Sequence, residues 1–366
     1  MKILHCADLH LDSKMTANLS KLSKEKVKER KMEILRTFSR MVDYANKNNI
    51  SVILIAGDLF DTHKVSAMVR NTVRDVIVQN PQIDFLYLKG NHDNDNFLEH
   101  LEEVPENLLF FGDKWTTYTY GNVTITGIEL DNYNHVSAYE TLVLNESKYN
   151  IVMMHGQLED YTSKDEIETI CLDNLKDKYI DYLALGHIHK YRLEVLDNRG
   201  MYCYPGCLEG RGFDECGEKG FVVLDIDERM CTAKTEFVPI AFRTLHILPV
   251  DITGIQSTKE AGERIETAIK KLEYSSKSLM NFILQGEIDV ECELETDFLE
   301  EQFSDYFYFE KVSNEARLLV NYNAYEKDAS LKGEFIRFVG ASDLEEQEKA
   351  NIIRTGILAL QGEEIS

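Results

Sequence analysis

The sequence predicts an α/β domain followed by a smaller α+β domain. Short, apolar, β-branched segments recur through the first part of the chain, including KILHCADLH, SVILIAGD and DYLALGHIH, and helical stretches separate them. Each apolar segment runs directly into polar residues, as expected for a buried strand that ends in a loop. Strands that alternate with helices indicate an α/β sheet, with functional loops at the strand ends.

Two helices are predicted in this first domain. Between the first two strands, apolar residues of 27–45 recur at spacings of three, four and seven, which places them on one helix face. A further helix is predicted to begin at Ser163, where Ser163 and Glu166 form a capping box before Ile167 and Ile170.

The boundary between the domains is predicted near residue 241, which gives domains of 1–240 and 241–366. The strands just before it are GFVVLDI (220–226) and TAKTEFVPI (232–240). The elements predicted after it are a strand in FRTLHILPVDI, a helix over 257–273, a half-exposed strand in MNFILQGEIDVE and a closing amphipathic helix over 343–361. Strands and helices in this mixture predict a small α+β accessory domain.

The composition is that of a soluble globular protein. Of 366 residues, 43% are hydrophobic and 28% are charged. No apolar run approaches the ~18 residues of a membrane span, and the N-terminus does not resemble a signal peptide. The seven cysteines are scattered, odd in number and without a CxxC pair, which argues against disulfides or a zinc ribbon. We therefore expect a cytoplasmic protein that is not in the membrane.

The net charge of -24 argues against strong, unaided binding to nucleic acid or acidic lipid. One segment departs from this balance, because residues 14–40 contain nine basic and three acidic residues. That basic run is either the solvated face of a helix or a contact for a polyanion.

Five polar loops each follow an apolar strand. They are Asp8-Leu9-His10, Gly57-Asp58-Leu59-Phe60-Asp61, Gly90-Asn91-His92-Asp93, His155-Gly156 and Gly186-His187-Ile188-His189. Carboxylate, amide and imidazole groups are ligands that divalent Mn, Fe and Zn accept. Residues two apart at a strand end point the same way, so each DxH or HxH pair can converge. Singly these motifs are weak, but five in this order indicate one metal site.

In this order the loops resemble the DxH, GDxxD, GNHD, H and GHxH motifs of the calcineurin-like metallophosphoesterase superfamily. AGDLFD (56–61), HGQ (155–157), GHIHK (186–190) and YPGCLEGRGFDECGEKGF (204–221) are similar to its SbcD-type DNA repair exonucleases, with Cys207 where Ser or Asn is expected. The motifs cover 1–240; beyond that, the likeness to the accessory domain is general. The resemblance implies a four-layer α/β/β/α sandwich.

The resemblance also implies two divalent metal ions, Mn²⁺ in the first instance, with Fe²⁺ or Zn²⁺ as alternatives. The residues at the matching positions are Asp8, His10 and His189 for the first ion, Asp58 as the bridge, and Asn91, His155 and His187 for the second. A bridging water would lose its proton and attack phosphorus. His92 would stabilise the transition state or protonate the leaving oxygen, and Asp93 would orient and charge the His92 ring.

Several other residues are predicted to have structural roles. Asp61 and His63 are interpreted as ordinary loop residues, although some relatives keep a histidine in this loop to help place the substrate. His5 and Cys6 are interpreted as packing residues of the first strand. The aromatic cluster Trp115, Tyr118 and Tyr120 is assigned to packing in preference to stacking on bases. No substrate-binding residue is assigned.

The resemblance implies a Mn-dependent DNA exonuclease or phosphodiesterase, the nuclease subunit of an SbcCD-like repair complex. Its partners would be DNA ends, bound weakly by this chain alone, and an SMC-family ATPase of the SbcC type; a homodimer is left open. One alternative is a phosphoesterase for small molecules or nucleotides, which the acidic charge favours. Another is a non-catalytic scaffold subunit, against which the intact His92 argues.

Overall fold

The computed structural model describes residues 1–13, 21–61, 65–93, 103–159 and 169–362. The chain divides into two compact units, Met1–Thr244 and Leu245–Ser366, close to the predicted boundary at 241. All seven cysteines are free thiols. Among the described helices, none has both the length and the apolar composition that a membrane span requires.

The first unit contains two six-stranded sheets. The order of the first sheet is β14-β13-β1-β2-β3-β4, formed by β1 (Lys2–Cys6), β2 (Val52–Ala56), β3 (Asp84–Leu88), β4 (Leu108–Phe110), β13 (Gly220–Asp227) and β14 (Thr232–Pro239). The order of the second is β11-β12-β10-β7-β6-β5, formed by β5 (Thr116–Tyr120), β6 (Val123–Gly127), β7 (Tyr149–His155), β10 (Tyr182–Gly186), β11 (Arg192–Val195) and β12 (Met201–Tyr204).

The centre of each sheet is parallel. Strands β1, β2, β3 and β4 pair in parallel, as do β6, β7, β10 and β12. Parallel strands place all their carboxyl ends at one edge of a sheet, which is where loops gather in α/β proteins. The loops that carry the predicted ligands therefore leave each sheet along a single edge.

Apolar residues fill the space on both sides of each sheet. Helices α1 (Lys24–Lys47) and α2 (Ala67–Val78) begin at the caps Ser23 and Ser66, whose side chains accept backbone N–H groups. Their apolar faces pack on the outer face of the first sheet, and a second cluster fills the gap between the sheets. A third cluster lies on the outer face of the second sheet, where it includes residues of the short helix α3 (Ala138–Thr141). This arrangement confirms the α/β fold.

The fourth layer is thin in the described part of the chain. Ser163, Glu166 and Ile167, where a helix was predicted to begin, lie outside the described residues. Ile170, predicted to lie in that helix, belongs instead to β9 (Thr169–Ile170), which pairs with β8 (Gln157–Leu158). Besides α3, this side of the second sheet has a single 3₁₀ turn, Leu172–Asn174, among the described residues.

The second unit is built around a three-stranded parallel sheet, with the order β15-β16-β18. Its elements are β15 (Leu245–Asp251), α4 (Thr258–Lys270), β16 (Leu279–Gln285), β17 (Glu287–Asp289), α5 (Thr296–Phe303), β18 (Phe309–Asn314), β19 (Arg317–Leu319), α6 (Tyr322–Tyr325), α7 (Leu331–Gly340) and α8 (Glu346–Gln361). The closing helix agrees with the prediction. The prediction of a half-exposed strand in MNFILQGEIDVE is wrong for β16, because β16 is the central strand and is buried on both faces.

A buried ion-pair network joins α1 to the segment after β12. The side chain of Arg30 is fully buried; its Nη1 donates to Glu33 Oε2 at 2.6 Å and its Nη2 to Gly210 O at 2.8 Å. Both nitrogens lie 3.3 Å from Glu209 Oε2, and Arg243 binds Glu33 from the other side. Arg30 is thus neither a solvated residue nor a contact for a polyanion, although it belongs to the basic run.

We predict that Arg30→Met destabilises the protein by about 3–5 kcal/mol, because it leaves the buried Glu209 carboxylate without its cation. The matched control is Arg74→Met, which removes an exposed pair with Asp75 and should cost less than about 1 kcal/mol. Urea unfolding of both variants tests this. Equal losses of stability would show that the buried network does not hold α1 in place.

Candidate metal centre

The predicted ligands all lie at strand ends of the two sheets. Asp8 and His10 follow β1, Asp58 follows β2, Asn91 follows β3, His155 ends β7, and His187 and His189 follow β10. Their side chains come together, since the ligand atoms of Asp8, His10 and His189 lie within 4.8 Å of one another, as do those of Asp8, Asp58 and His155. The site therefore draws on both sheets.

Strand pairing continues past the ends of β1 and β2 and fixes two of these loops side by side. Asp8 N donates to Gly57 O at 3.1 Å, and His10 N donates to Asp58 O at 3.0 Å. A further parallel bridge joins Leu11 to Phe60. The carboxylates of Asp8 and Asp58 are thereby held next to each other by backbone hydrogen bonds.

Four of the predicted ligands have left-handed backbone conformations. Their φ angles are +52° at Asp8, +46° at His10, +53° at Asp58 and +106° at His187. Residues other than glycine rarely adopt this region, at a cost of about 1–3 kcal/mol each, and such residues cluster at functional sites. The strand-end loops thus hold a strained backbone that directs the side chains inward.

Two glycines of these loops leave no room for a side chain. A Cβ at Gly90 would lie 2.2 Å from Asp58 Oδ1, and a Cβ at Gly57 would lie 2.0 Å from His155 Nδ1. Gly57 also has a φ of +93°, which favours glycine. The loops can therefore approach each other this closely only with glycine at both positions.

Asp8, His10 and His189 form the first ligand group. Nε2 of His10 faces Nε2 of His189 at 3.0 Å. The Asp8 carboxylate is fully buried and accepts the His187 N–H at 2.8 Å. Burial raises the pKa of Asp8, and the neighbouring Asp58 adds to the rise.

Asp58 stands between this group and the second one. Its Oδ2 lies 3.6 Å from both His10 Nε2 and His155 Nε2, and its Oδ1 accepts the His92 N–H at 2.9 Å. His155 Nε2 also lies 3.1 Å from Asn91 Oδ1. The position of Asp58 fits a carboxylate that is shared by two sites.

His187 reaches the second group through its ring, which meets the His155 ring edge-on with centroids 5.3 Å apart. Burial and the neighbouring His155 lower the pKa of His187 to about 4. The His187 ring is therefore neutral at pH 7, as a metal ligand must be.

The Nδ1 atoms of three of these histidines face oxygen acceptors. His155 Nδ1 donates to Ala56 O at 2.9 Å, His189 Nδ1 lies 2.6 Å from Glu215 Oε1, and His10 Nδ1 lies 3.1 Å from Asp61 Oδ1. A proton on Nδ1 leaves Nε2 as a lone pair, the usual arrangement of metal-binding histidines. Two such lone pairs at 3.0 Å repel unless a cation or a proton lies between them. The residues present thus fit divalent metal ions.

The prediction that Asp93 orients the His92 ring is wrong. The Asp93 carboxylate instead accepts backbone N–H groups of Leu59, Phe60 and Gly90 at 2.9–3.2 Å, so it shapes the loops. Asp61 Oδ1 lies 3.2 Å from His92 Nδ1, and this contact raises the pKa of His92.

Asp61 is therefore a site residue that the loop interpretation missed. Burial would raise its pKa, but His10, His92 and the Ser13 hydroxyl hold the pKa below its ordinary value. Its carboxylate contacts a candidate metal ligand and the candidate acid together. Its position in the GDxxD motif was the available signal; His63 lies outside the described residues.

Glu215 and Arg211 were also missed. The Glu215 carboxylate is buried between His189 Nδ1 and Arg211, whose Nη2 donates to it at 2.8 Å. These contacts hold the pKa of Glu215 below its ordinary value even though burial opposes this. Both residues lie in the 204–221 block, which the sequence singled out without assigning roles within it.

The residues predicted to pack do so. His5 is fully buried, with its Nδ1 2.9 Å from Tyr182 Oη, and the Cys6 thiol donates to Leu54 O. Tyr118 donates to Phe110 O and Tyr120 to Asp84, each at 2.7 Å. None of these contacts involves the candidate ligands.

A family model matches the first half of this chain, and individual known proteins align with most of its length. Residues 1–191 match the family described as calcineurin-like phosphoesterase. The uncharacterized metallophosphoesterase YhaO of Bacillus subtilis (strain 168) is 24% identical over 306 aligned positions, with 78% of this chain and 72% of YhaO covered. The DNA double-strand break repair protein Mre11 of Sulfurisphaera tokodaii is 24% identical over 395 aligned positions, with 93% of this chain and 98% of that protein covered.

Among solved structures, that of TT1561 from Thermus thermophilus aligns with 64% of this chain and 98% of its own, at 12% identity and a TM-score of 0.41. The family match itself spans just over half of the chain and contains all the candidate ligand loops. With a strand-end cluster of carboxylate and imidazole groups suited to metal ions, this chain belongs to the calcineurin-like phosphoesterases, a family of metal-dependent phosphoester hydrolases.

Proposed function

We propose that this chain is a Mn-dependent phosphodiesterase that cleaves DNA at its ends, as the nuclease subunit of a complex with an SMC-family ATPase. The observation that carries the proposal is the pair of ligand groups that meet at Asp58, with His92 beside them on Asp61. The similarity to Mre11 over 93% of the chain supports DNA as the substrate.

The proposed ligands keep the assignment made from sequence. Asp8, His10 and His189 would hold the first ion, Asn91, His155 and His187 the second, and Asp58 would contact both. When bound, two divalent ions neutralise charge on phosphoryl oxygens and lower the pKa of a water molecule.

His92 supplies a proton to this chemistry. The Asp61 contact raises the pKa of His92, which extends the imidazolium form to higher pH than for a free histidine. Asp61 contacts Nδ1 of His92, so Nε2 is the atom that would transfer a proton to the leaving oxygen. The side chain of His92 is 47% exposed, so a substrate can reach it.

The net charge of -24 favours a second candidate function, a phosphoesterase for nucleotides or small molecules. Such substrates need no basic surface. Within the nuclease proposal, the same charge makes DNA binding by this chain alone weak, and an ATPase partner would have to supply most of the affinity. The two candidates differ in whether linear DNA is cleaved at all.

We predict that the wild-type protein with Mn²⁺ cleaves end-labelled linear duplex DNA and that His92→Ala slows cleavage by about 10²- to 10⁴-fold. The matched control is His246→Ala, which changes a histidine of the second unit whose ring lies against Tyr274. Full cleavage by His92→Ala would contradict the proton-donor role. Hydrolysis of an aryl phosphodiester without cleavage of DNA would favour the small-molecule function.

We predict that Asp61→Asn lowers phosphodiesterase activity by about 10- to 100-fold, as expected for a residue that orients catalytic and metal-binding groups. The exposed Asp173→Asn serves as the control. If Asp61 acts through His92, Asp61→Asn will lower the activity of the His92→Ala variant by a smaller factor than it lowers the activity of the wild type. Unchanged activity of Asp61→Asn would show that this carboxylate is an ordinary loop residue.

We predict that Mn²⁺ stabilises the protein against thermal unfolding, by about 2.7 kcal/mol when it is present at 100 times its dissociation constant. Asp58→Asn should lose most of this gain, because both ligand groups use Asp58. Without metal, the variant should be at least as stable as the wild type, since the buried Asp8 loses a repulsive neighbour. A full Mn²⁺ effect in Asp58→Asn would contradict the shared carboxylate.

A further inference from the structure

A second cleft opens in the first unit, with a volume of about 640 Å³. Its walls come from the residues before β5 and from the segment 128–141, and its lining includes Lys114, Trp115 and Tyr133. Trp115 is the only tryptophan of the chain and is half-buried, with its Nε1 donating to Ala138 O at 2.9 Å. Packing and this hydrogen bond hold the indole in place, and its remaining surface lines the cleft.

The cleft lies at the same edge of the second sheet as the metal centre. Strand β5 begins and β6 ends at this edge, where Thr116 pairs with Gly127, and β6 runs parallel to β7, which ends at His155. Two strand spacings separate β5 from β7, a distance of roughly 10 Å. That is about three base steps of a DNA strand.

A hydrogen-bond chain connects the wall of the cleft to the loop of His92. Glu129 Oε1 accepts the N–H of Lys89, the residue directly before the Gly90-Asn91-His92 turn, at 3.1 Å. On the cleft side, Asn134 Nδ2 donates to Glu129 O at 2.7 Å and to Asp113 O at 3.0 Å. Hydrogen bonds thus join the cleft and the loop of His92 into one framework.

This framework presents an exposed aromatic ring. The Asp131 carboxylate accepts the N–H groups of Tyr133 and Asn134 at 2.7 and 2.8 Å, which fixes the turn. The Tyr133 side chain is nevertheless 93% exposed. A large ring on a fixed turn that lines the same cleft as a half-buried indole suits a flat aromatic ligand, because bases stack on such side chains in proteins that bind single strands.

The charges of the cleft favour a neutral group over a phosphate. Among the described residues that line it, Asp113 and Asp131 stand against one cation, Lys114. A phosphate would meet a net negative wall, whereas a base carries no charge at neutral pH. The phosphodiester would remain with the metal ligands.

We propose that this cleft binds an unpaired base of the substrate strand, a few nucleotides from the bond that is cut. The inference rests on the proposed nuclease function, since it takes a nucleic-acid strand as the ligand. It assigns Trp115 and Tyr133 to substrate binding, a role beyond the packing that the sequence indicated for Trp115.

The test uses the fluorescence of Trp115, which reports on the cleft without any label. His92→Ala protein with Mn²⁺ is titrated at low salt with a short single-stranded oligodeoxynucleotide and with an abasic chain of equal length. We expect the first to quench Trp115 and to bind about 5- to 100-fold more tightly than the second. Equal quenching by both, or none by the base-containing strand, overturns the inference and leaves the exposed ring to a protein partner.

Variants of Tyr133 in the same background separate stacking from a general effect. Tyr133→Ala should weaken binding of the base-containing strand but not of the abasic chain, while Tyr133→Phe should bind as before. Val143→Ala removes a side chain that is 85% exposed just after this segment and does not line the cleft, so it should change nothing. Equal affinities of Tyr133→Ala and its parent for the base-containing strand overturn the inference.

Failure of the nuclease proposal would look different. If the wild-type protein cuts linear DNA but shows no base-dependent quenching, the proposed function stands and the inference about the cleft fails. Wild-type protein that hydrolyses an aryl phosphodiester but never DNA loses the nuclease function, and the cleft inference with it.

Discussion

The candidate centre depends on two sheets that meet with their strand ends at a common edge. No single sheet carries all the ligands, so the hydrogen bonds that cross from one sheet to the other decide whether the site exists. The N–H of His187 donates to Asp8, and Nδ1 of His155 donates to Ala56 O. Each bond uses a candidate ligand as one of its partners. An apolar cluster packs the sheets together, and at this edge the hydrogen bonds that join them also assemble the site.

A second layer of side chains determines what the ligands can do. Asp61 and Glu215 hold imidazoles by the nitrogen that faces away from the centre, and they leave the inward nitrogens as lone pairs. Left-handed backbone at Asp8 and Asp58 costs free energy that the surrounding pairing must offset. Without a cation, the facing Nε2 atoms of His10 and His189 need a proton between them, and the carboxylates of Asp8 and Asp58 are neighbours. We therefore expect metal binding to relieve these repulsions.

The sequence predicted the α/β fold, and it placed the candidate ligands in loops at strand ends, because buried strands followed directly by polar residues form a strong local pattern. It failed where contacts depend on tertiary geometry. Asp93 is adjacent to His92, yet its carboxylate turns to the backbone of the β2 loop, while Asp61 reaches His92 from 31 positions away. Strand β16 alternates in sequence like a half-exposed strand but is covered on both faces. A local pattern cannot reveal what covers the second face.

The most direct test of the two-sheet centre is a crystal structure of the protein with Mn²⁺, in which anomalous scattering locates the ions. We expect two peaks about 3.5–4 Å apart, one at Asp8, His10 and His189 and the other at Asn91, His155 and His187. Asp58 should lie between them. A single ion, or ions bound by residues of one sheet alone, would contradict the account.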